Sequence, residues 1–274
     1  MGKFTGVLLA SDFDDTLYWE ETGVPAANVE ALEYFLNEGG HFTVATGRAK
    51  RTFAPHFHDA PINAPVILSN GALLYDFQEA RTVLDLPLPA SAAADLAALS
   101  EVFPAVGIEV YHGSDVYIHR PNAHTHRHVL RVNTTWTPMD LADMPQPWSK
   151  AVIQADHAVL LEAQAWMKAR WPERYEVIFS NAVLLECTAR HATKGGMVLR
   201  LAEMLGVRRE NLYCVGDNQN DLSMLAVSAV PFAPANCARE LKDWGATLLR
   251  PCQENAVAQL VDILDSRYSG RFQS

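Results

Sequence analysis

Residues 6–16 have the sequence GVLLASDFDDT, from which the rest of the fold can be worked out. The first six of them form a short, continuous apolar run, which is typical of a buried β-strand. Three acids, Asp12, Asp14 and Asp15, follow that strand directly. Open α/β sheets bind their ligands at the carboxyl ends of their strands, so these acids stand where a site is expected.

The three acids need an explanation because close carboxylates repel one another. They require a cation, a shared proton or good solvation, and a hard divalent ion such as Mg²⁺ is the simplest remedy because it takes oxygen ligands. The alternative is a helix N-cap with extra acids, which the helix dipole would favour. Polar residues further along the chain favour the cation.

The composition is that of an ordinary globular protein of one or two domains. The 274 residues are 49% hydrophobic and 20% charged, which suffices for a full core. The net charge of −10 argues against nucleic acid or an anionic membrane as the main partner, but not against a phosphorylated small molecule bound through a metal. Four widely spaced cysteines and the lack of a signal peptide predict reduced thiols in a cytoplasmic protein.

The pattern of elements predicts an α/β protein with a domain inserted into it. After the first strand we expect a helix from Pro25 to Gly39, a strand at 41–45, a helix from 48 to about 58 and a strand at 65–68. This β-α-β-α-β order is the signature of a parallel sheet with helices on both faces. The same rhythm returns with a helix at 194–205, a strand at 212–215 and a last helix at 255–265.

Residues 82–188 have a different rhythm, with six strand-like runs, two helices and a proline-rich loop at 138–148. This pattern predicts an α+β unit with a largely antiparallel sheet. The expected fold is therefore α/β, with a Rossmann-like parallel-sheet core formed by residues 1–81 and 189–274 and an inserted α+β cap domain at 82–188.

Polar groups follow four of the predicted core strands. They are Asp12, Asp14 and Thr16; Thr46 and Arg48; Asn70; and Asp217, Asn220 and Asp221. These strand ends share one edge of a parallel sheet, so the side chains can converge. The inventory suits phosphoryl transfer, in which a carboxylate attacks in line, a metal and cationic groups neutralise the phosphate oxygens, and a second carboxylate handles the proton.

Here the sequence resembles a known family. DFDDT at 12–16, TGR at 46–48, a lysine at 194 and GDNQND at 216–221 are similar, in order and spacing, to the four motifs of the haloacid dehalogenase (HAD) superfamily of phosphatases. The insertion resembles the C2-type cap of the Cof-type sugar phosphatases, subfamily IIB. The stretch Asn70-Gly71-Ala72 and the stretch around Asn236 also resemble that group.

The resemblance implies a catalytic and a metal-binding set. Asp12 would be the nucleophile and a Mg²⁺ ligand. Asp14 would be the general acid/base and would give the metal its backbone carbonyl, with Thr16 helping to fix Asp14. Asp217 would bind Mg²⁺ directly, and Asp221 directly or through water.

The resemblance also implies a substrate-binding set, which comprises Thr46, Gly47, Arg48, Asn70, Lys194 and Asn220. A lysine in the first turn of a helix opposes the helix dipole, so Lys194 invites a functional reason. Thr46 could instead cap the following helix. Arg48 is equally suited to phosphate and to an acid at the sheet edge.

Three features depart from this pattern or invite other readings. Asp15 stands where many members have glycine; aspartate tolerates unusual backbone angles, but an extra acid could weaken phosphate binding. The histidines of NAHTHRH, residues 122–128, could bind zinc, but a solvated segment is favoured because no cysteine or acid stands at ligand spacing. For Trp136, Trp148, Trp166 and Trp171 we expect packing rather than a substrate pocket.

The expected activity is hydrolysis of a small phosphorylated metabolite with Mg²⁺ as cofactor, and the resemblance favours a sugar phosphate. Two alternatives stay open, a phosphomutase that uses the same aspartyl-phosphate and a non-catalytic phospholigand sensor. The sequence does not reveal the particular substrate or the oligomeric state.

Overall fold

The computed structural model describes residues 2–269, which form fourteen strands and nine α-helices. The strands are β1 Leu8–Ser11, β2 His41–Val44, β3 Val66–Leu68, β4 Leu73–Asp76, β5 Arg81–Asp85, β6 Gly107–His112, β7 Asp115–His119, β8 Thr137–Pro138, β9 Lys150–Gln154, β10 Tyr175–Asn181, β11 Leu184–Ala189, β12 Leu212–Val215, β13 Pro231–Pro234 and β14 Thr247–Leu249. The helices are α1 Ala26–Asn37, α2 Lys50–Phe53, α3 Ala92–Val102, α4 Ala123–Arg131, α5 His157–Arg170, α6 Lys194–Met204, α7 Leu222–Leu225, α8 Arg239–Trp244 and α9 Ala256–Ser269.

The core sheet confirms the predicted parallel α/β fold. Its five strands run parallel in the order β14-β13-β12-β1-β2, and a further parallel bridge joins Ala45 to Ile67 of β3. Strand β1 lies between β12 and β2, with Ala10 opposite both Cys214 and Thr43. Its residues are fully buried because helices cover both faces, which explains why the strand is a continuous apolar run.

The inserted region forms a second sheet, in the order β10-β11-β9-β6-β7-β8, that is antiparallel except between β7 and β8. One face of this sheet packs against α3 and α5 through an apolar cluster that includes Ile108, Ile153 and Leu185. The prediction of an α+β unit with a largely antiparallel sheet is therefore confirmed. We call this region the cap.

A small antiparallel sheet, β3-β4-β5, lies between the core and the cap. Strand β4 was not predicted, and β5 pairs with it instead of joining the cap sheet. Val83 and Leu84 of β5 pack against the core, whereas Leu88 belongs to the apolar cluster of the cap. We therefore propose that the cap begins nearer to Leu88 than to Thr82.

Three helices differ from the predictions. The helix expected from 48 to about 58 is α2, four residues long, followed by a 3₁₀ turn at Ala54–His56, because Pro55 lacks the N–H that a longer α-helix would use. The histidine-rich segment is the helix α4, whose N-terminus is capped by the Asn122 side chain. Helix α8 was not predicted. Among residues 2–269, no helix is long and apolar enough to cross a membrane.

Candidate active site

The carboxyl edge of the core sheet gathers the side chains that the motifs predicted. Asp12 follows β1 and keeps to the strand direction, since its N–H donates to the carbonyl of Val215 at 2.9 Å. Thr46 follows β2, and Asp217 follows β12. All three side chains are buried, so this edge of the sheet holds polar groups shielded from water.

Lys194 is the cation at the centre of this edge. Its ammonium donates to Asp12 Oδ1 at 2.5 Å and to Asp221 Oδ1 at 2.6 Å, and its side chain is fully buried. Thr193 caps the helix that begins at Lys194 by accepting from the N–H of Gly196 at 3.0 Å. Two carboxylates thus offset the unfavourable placement of a cation at a helix N-terminus.

Three carboxylates form a compact acidic group around that lysine. Asp12, Asp217 and Asp221 each offer an oxygen, and these oxygens all lie within 4.8 Å of one another. Asp221 Oδ2 accepts from the N–H groups of Asp217 and Asn218 at 2.9 and 3.0 Å, which locks the GDNQND turn. Thr16 donates to Asp217 Oδ1 at 3.2 Å, so the expectation that Thr16 fixes Asp14 is wrong; it positions Asp217 instead.

The electrostatics of this group call for a further positive charge. Burial and the charge of Asp221 raise the pKa of Asp12 to about 7, although Lys194 opposes the shift. Burial and the charges of Asp12 and Asp221 also raise the pKa of Asp217 well above its usual value. One lysine does not balance three carboxylates, and oxygen ligands suit a hard divalent cation, so the donor set fits Mg²⁺.

Asp14 lies beside this group and is held by Arg48. The guanidinium donates to Asp14 Oδ2 at 2.9 Å and to Oδ1 at 2.7 Å, a bidentate pair that fixes the carboxylate. The same guanidinium lies over the rings of Phe13 and Tyr18, 5.2 and 5.6 Å from their centroids. Of the two roles left open for Arg48, the structure shows the pairing with an acid.

The predicted phosphate-binding turn lies next to Asp12. Thr46 Oγ1 accepts from the N–H of Arg48 at 3.0 Å, so Thr46 does cap its own turn. Asn70 has φ = +56° and accepts at Oδ1 from Asn220 Nδ2 at 3.1 Å. The other amide atom, Asn70 Nδ2, is buried without a hydrogen-bond partner among the described residues. A buried, unsatisfied donor beside a cluster of acids and a lysine is suited to an anionic ligand. A side chain at Gly47 would crowd Asn70, since a Cβ there would lie 3.3 Å from Asn70 Oδ1.

Asp15 adopts the left-handed conformation that the glycine of the family motif would permit, with φ = +61°. Its carbonyl accepts from Asn236 Nδ2 at 2.8 Å, so the Asn236 stretch supports this turn. Its carboxylate lies 3.8 Å from the Arg131 guanidinium of the cap. The departure from glycine is therefore tolerated by the backbone, as expected.

A cavity of about 160 Å³ separates the carboxyl edge of the core sheet from the cap. Sequence reasoning missed its cap wall, which consists of Tyr111, His128, Arg131, Val132, Lys150, Ser180, Asn181, Leu184 and Glu186. Charged residues beside or within apolar runs of the sequence, such as Lys150 before the run 151–153, could have indicated this wall.

None of the four tryptophans named in the sequence analysis lines this cavity; Trp148 and Trp171 belong to the apolar core of the cap. Among residues 2–269, the acidic group is the one cluster with metal-ligand spacing, so the histidine-rich helix forms none.

Two curated phosphatases are similar to this chain over almost its whole length. The chain is similar to the 5-amino-6-(5-phospho-D-ribitylamino)uracil phosphatase YwtE of Bacillus subtilis, at 25% identity over 95% of this chain and 99% of the relative. It is similar to the pyridoxal phosphate phosphatase YbhA of Escherichia coli, at 24% identity over 93% of this chain and 97% of the relative.

Solved structures share the whole fold. The HAD subclass IIB sugar phosphatase BT4131 aligns with a TM-score of 0.81 at 19% identity, covering 94% of this chain and 98% of that one. SMU.1108c from Streptococcus mutans UA159 aligns with a TM-score of 0.84 at 16% identity over the same shares of both chains. The family model of the haloacid dehalogenase-like hydrolases matches residues 9–261. The chain therefore belongs to the haloacid dehalogenase-like hydrolases.

Proposed function

We propose that this phosphoric monoester hydrolase requires Mg²⁺ and hydrolyses a small phosphorylated metabolite through an aspartyl-phosphate formed on Asp12. The observation that carries the proposal is the acidic group of Asp12, Asp217 and Asp221 closed around Lys194 at the sheet edge. Such a group is costly in a folded protein unless a ligand uses its charge. The curated relatives described above are both named as phosphatases.

Asp12 is the proposed nucleophile. One of its carboxylate oxygens would form a bond to phosphorus while the bond from phosphorus to the alcohol oxygen breaks. The Lys194 ammonium, 2.5 Å from Asp12 Oδ1, orients this carboxylate and favours its ionised form against the effect of burial. Lys194 would also neutralise an oxygen of the transferred group.

Asp14 is the proposed general acid and base. It lines the cavity and is held by the two hydrogen bonds from Arg48, which supports a position of its carboxyl group next to the leaving group. It would donate a proton to the departing alkoxide and later accept one from the water that attacks the aspartyl-phosphate. That second step releases inorganic phosphate and restores Asp12.

Four polar groups of the core would hold the phosphoryl oxygens. They are the Thr46 hydroxyl, the Gly47 backbone, the Asn70 amide and the Asn220 amide, which meet at the ends of β2, β3 and β12. The buried Asn70 Nδ2, which has no partner among the described residues, supports a direct contact. Asp12, Asp217, Asp221 and the backbone carbonyl of Asp14 would hold Mg²⁺, which when bound would neutralise phosphate charge.

The size of the cavity and the family resemblance support a small phosphorylated substrate. A volume of about 160 Å³ leaves room for a phosphoryl group and a short leaving group. We propose a sugar phosphate of this kind, although YwtE and YbhA are named for quite different phosphoesters.

The cytoplasmic location remains a prediction, supported by the absence of any disulfide among the four cysteines, all of them buried.

The test is phosphate release from a panel of phosphorylated metabolites, with Mg²⁺ and with EDTA. We expect release with Mg²⁺ and none with EDTA, and the ranking of substrates identifies the leaving group. Retention of the phosphoryl group in an isomeric ester would instead identify a mutase. If no compound turned over while calorimetry showed Mg²⁺ binding, the proposed hydrolysis would be wrong.

A further inference from the structure

The cavity wall of the cap carries two buried charges, Lys150 and Glu186. Lys150 lies on β9 and Glu186 on β11, and because Glu186 is opposite Val152 in the antiparallel register, the two charges are diagonal neighbours on one face of the sheet. Lys150 is 3% exposed and Glu186 is 6% exposed. Both line the same cavity as Asp12 and Asp14.

The two side chains bind each other and the core. Lys150 Nζ donates to Glu186 Oε2 at 2.9 Å and to the carbonyl oxygen of Gly47 at 2.8 Å. Ser180 Oγ donates to Glu186 Oε1 at 3.1 Å. Because an ammonium has three donors and a carboxylate roughly four acceptor sites, one N–H of Lys150 and about two lone pairs of Glu186 are left for a ligand.

This pair is the buried part of a polar wall that also contains His128, Arg131 and Asn181. The Tyr111 ring lies 4.8 Å from Lys150 Nζ, and the Tyr111 hydroxyl is committed to the buried Glu109. Burying a charged pair costs more desolvation than burying an apolar pair of similar volume, so packing alone does not explain it. A role in binding does, since both charges line a cavity.

The contact with Gly47 fixes where the pair stands relative to the reaction. Gly47 belongs to the turn that begins with the phosphate-binding Thr46, so Lys150 lies next to the phosphoryl site. The first atoms of the leaving group beyond the ester oxygen would therefore meet Lys150 and Glu186. The pair carries no net charge, so it does not favour a leaving group of either sign.

We infer that Lys150 and Glu186 are specificity-determining residues that bind a hydroxyl group of an uncharged leaving group, close to the ester oxygen, an inference that rests on the proposed phosphatase function. A hydroxyl group accepts from the free N–H of Lys150 and donates to a free lone pair of Glu186 at the same time. A leaving group without a hydroxyl there displaces water and leaves the remaining N–H of Lys150 and the remaining lone pairs of Glu186 without partners, which a binding site penalises strongly.

The test compares two substrates that differ only in hydroxyl groups, glycerol 1-phosphate and propyl phosphate. The measured quantity is the ratio of their kcat/KM values. We expect wild-type enzyme to prefer glycerol 1-phosphate, and Glu186→Gln to lower the ratio about tenfold or more, because a hydrogen bond to a charged group is lost. Glu162→Gln, an exposed acid on the far side of the cap, is the matched control and keeps the ratio.

A double variant shows whether a change in the ratio comes from misfolding. Lys150→Met combined with Glu186→Leu removes both charges together, so neither is left buried alone, and we expect the ratio to fall toward 1 with an unchanged circular dichroism spectrum. A wild-type ratio that both variants retain would overturn the inference and leave the phosphatase function intact. So would hydrolysis of p-nitrophenyl phosphate without any hydrolysis of glycerol 1-phosphate. Absence of phosphate release from every compound would instead refute the proposed function and the inference with it.

Discussion

The catalytic edge of the core and the cavity wall of the cap both bury charged side chains, but their charge balance differs. In the core, Asp12, Asp217 and Asp221 surround Lys194. On the cap wall one lysine meets one glutamate. The acidic group therefore carries excess negative charge and fits a divalent cation. On the cap wall the two charges neutralise each other, and only one N–H of Lys150 and the remaining lone pairs of Glu186 can bind a ligand.

Because of this difference, the core side and the cap side of the cavity would have different roles in the reaction. In the core, burial together with the neighbouring negative charges raises the pKa of the carboxylates, and the excess of negative charge gives a metal ion a large electrostatic gain on binding. A balanced pair offers no such gain but discriminates between polar and apolar groups. The core would thus do the chemistry common to many phosphoesters, and the cap would select among them.

The largest expected effect is that of Asp12→Asn. Loss of the nucleophile should lower kcat/KM by about 10⁴-fold or more, because no other oxygen of the site replaces it. The fold should persist, since the change removes one of three repelling carboxylates. Steady-state phosphate release and circular dichroism measure the two effects, and turnover near the wild-type rate would rule out Asp12 as the nucleophile.

Removing one partner of the Lys150–Glu186 pair should lower the free energy of unfolding more than removing both partners. Lys150→Met leaves Glu186 buried without its cation, and we expect the free energy of unfolding to fall by about 3–5 kcal/mol. Adding Glu186→Leu should recover most of that loss, because no charge is then left unpaired. Urea denaturation measures both variants; a double variant as unstable as the single one would show that the pair itself holds the cap together.

Stabilisation by Mg²⁺ should depend on the acidic group of the core and not on the Lys150–Glu186 pair of the cap. At a Mg²⁺ concentration a hundredfold above its Kd, we expect a stabilisation of about 2.7 kcal/mol, seen as a higher Tm. Asp217→Asn should abolish most of this shift because it removes a ligand, while Glu186→Gln should retain it. An equal loss of the Mg²⁺ shift in both variants would contradict the assignment of the metal to the core.

The smallest expected effect is that of Asp15→Gly. Glycine adopts the observed φ of +61° freely, so stability should change by no more than about 1 kcal/mol. Removing this acid from the cavity should lower KM a few-fold, since it repels a phosphorylated substrate. An increase in KM would indicate that the contact between Asp15 and Arg131 helps to close the cap.

The core could be predicted from the sequence because its functional residues follow strands within short motifs. Asp12, Thr46 and Asp217 each come directly after an apolar run, and parallel strands must bring their carboxyl ends to one edge. Details inside the turns were less accessible. The partners of Thr16 and Arg48 depend on how the loop after β1 folds back, which no periodicity encodes.

The cap wall could not be predicted because its residues lie in different strands and share no motif. Lys150 and Glu186 are separated by 35 intervening positions, 151–185, and meet only through the pairing of β9 with β11. Strand β4 was missed because it follows the Ser69–Gly71 turn at once, without the polar spacer that usually marks a new element. Helix α4 has few apolar residues, and its start is fixed by the Asn122 cap rather than by hydrophobic spacing.

We propose that Asp12 carries the phosphoryl group during turnover. Acid quenching of the enzyme while it turns over p-nitrophenyl phosphate, followed by peptide mapping with mass spectrometry, tests this directly. We expect a phosphoryl group on the peptide that contains Asp12, and none there in Asp12→Asn. A phosphoryl group on any other residue of the wild-type enzyme would show that Asp12 is not the nucleophile.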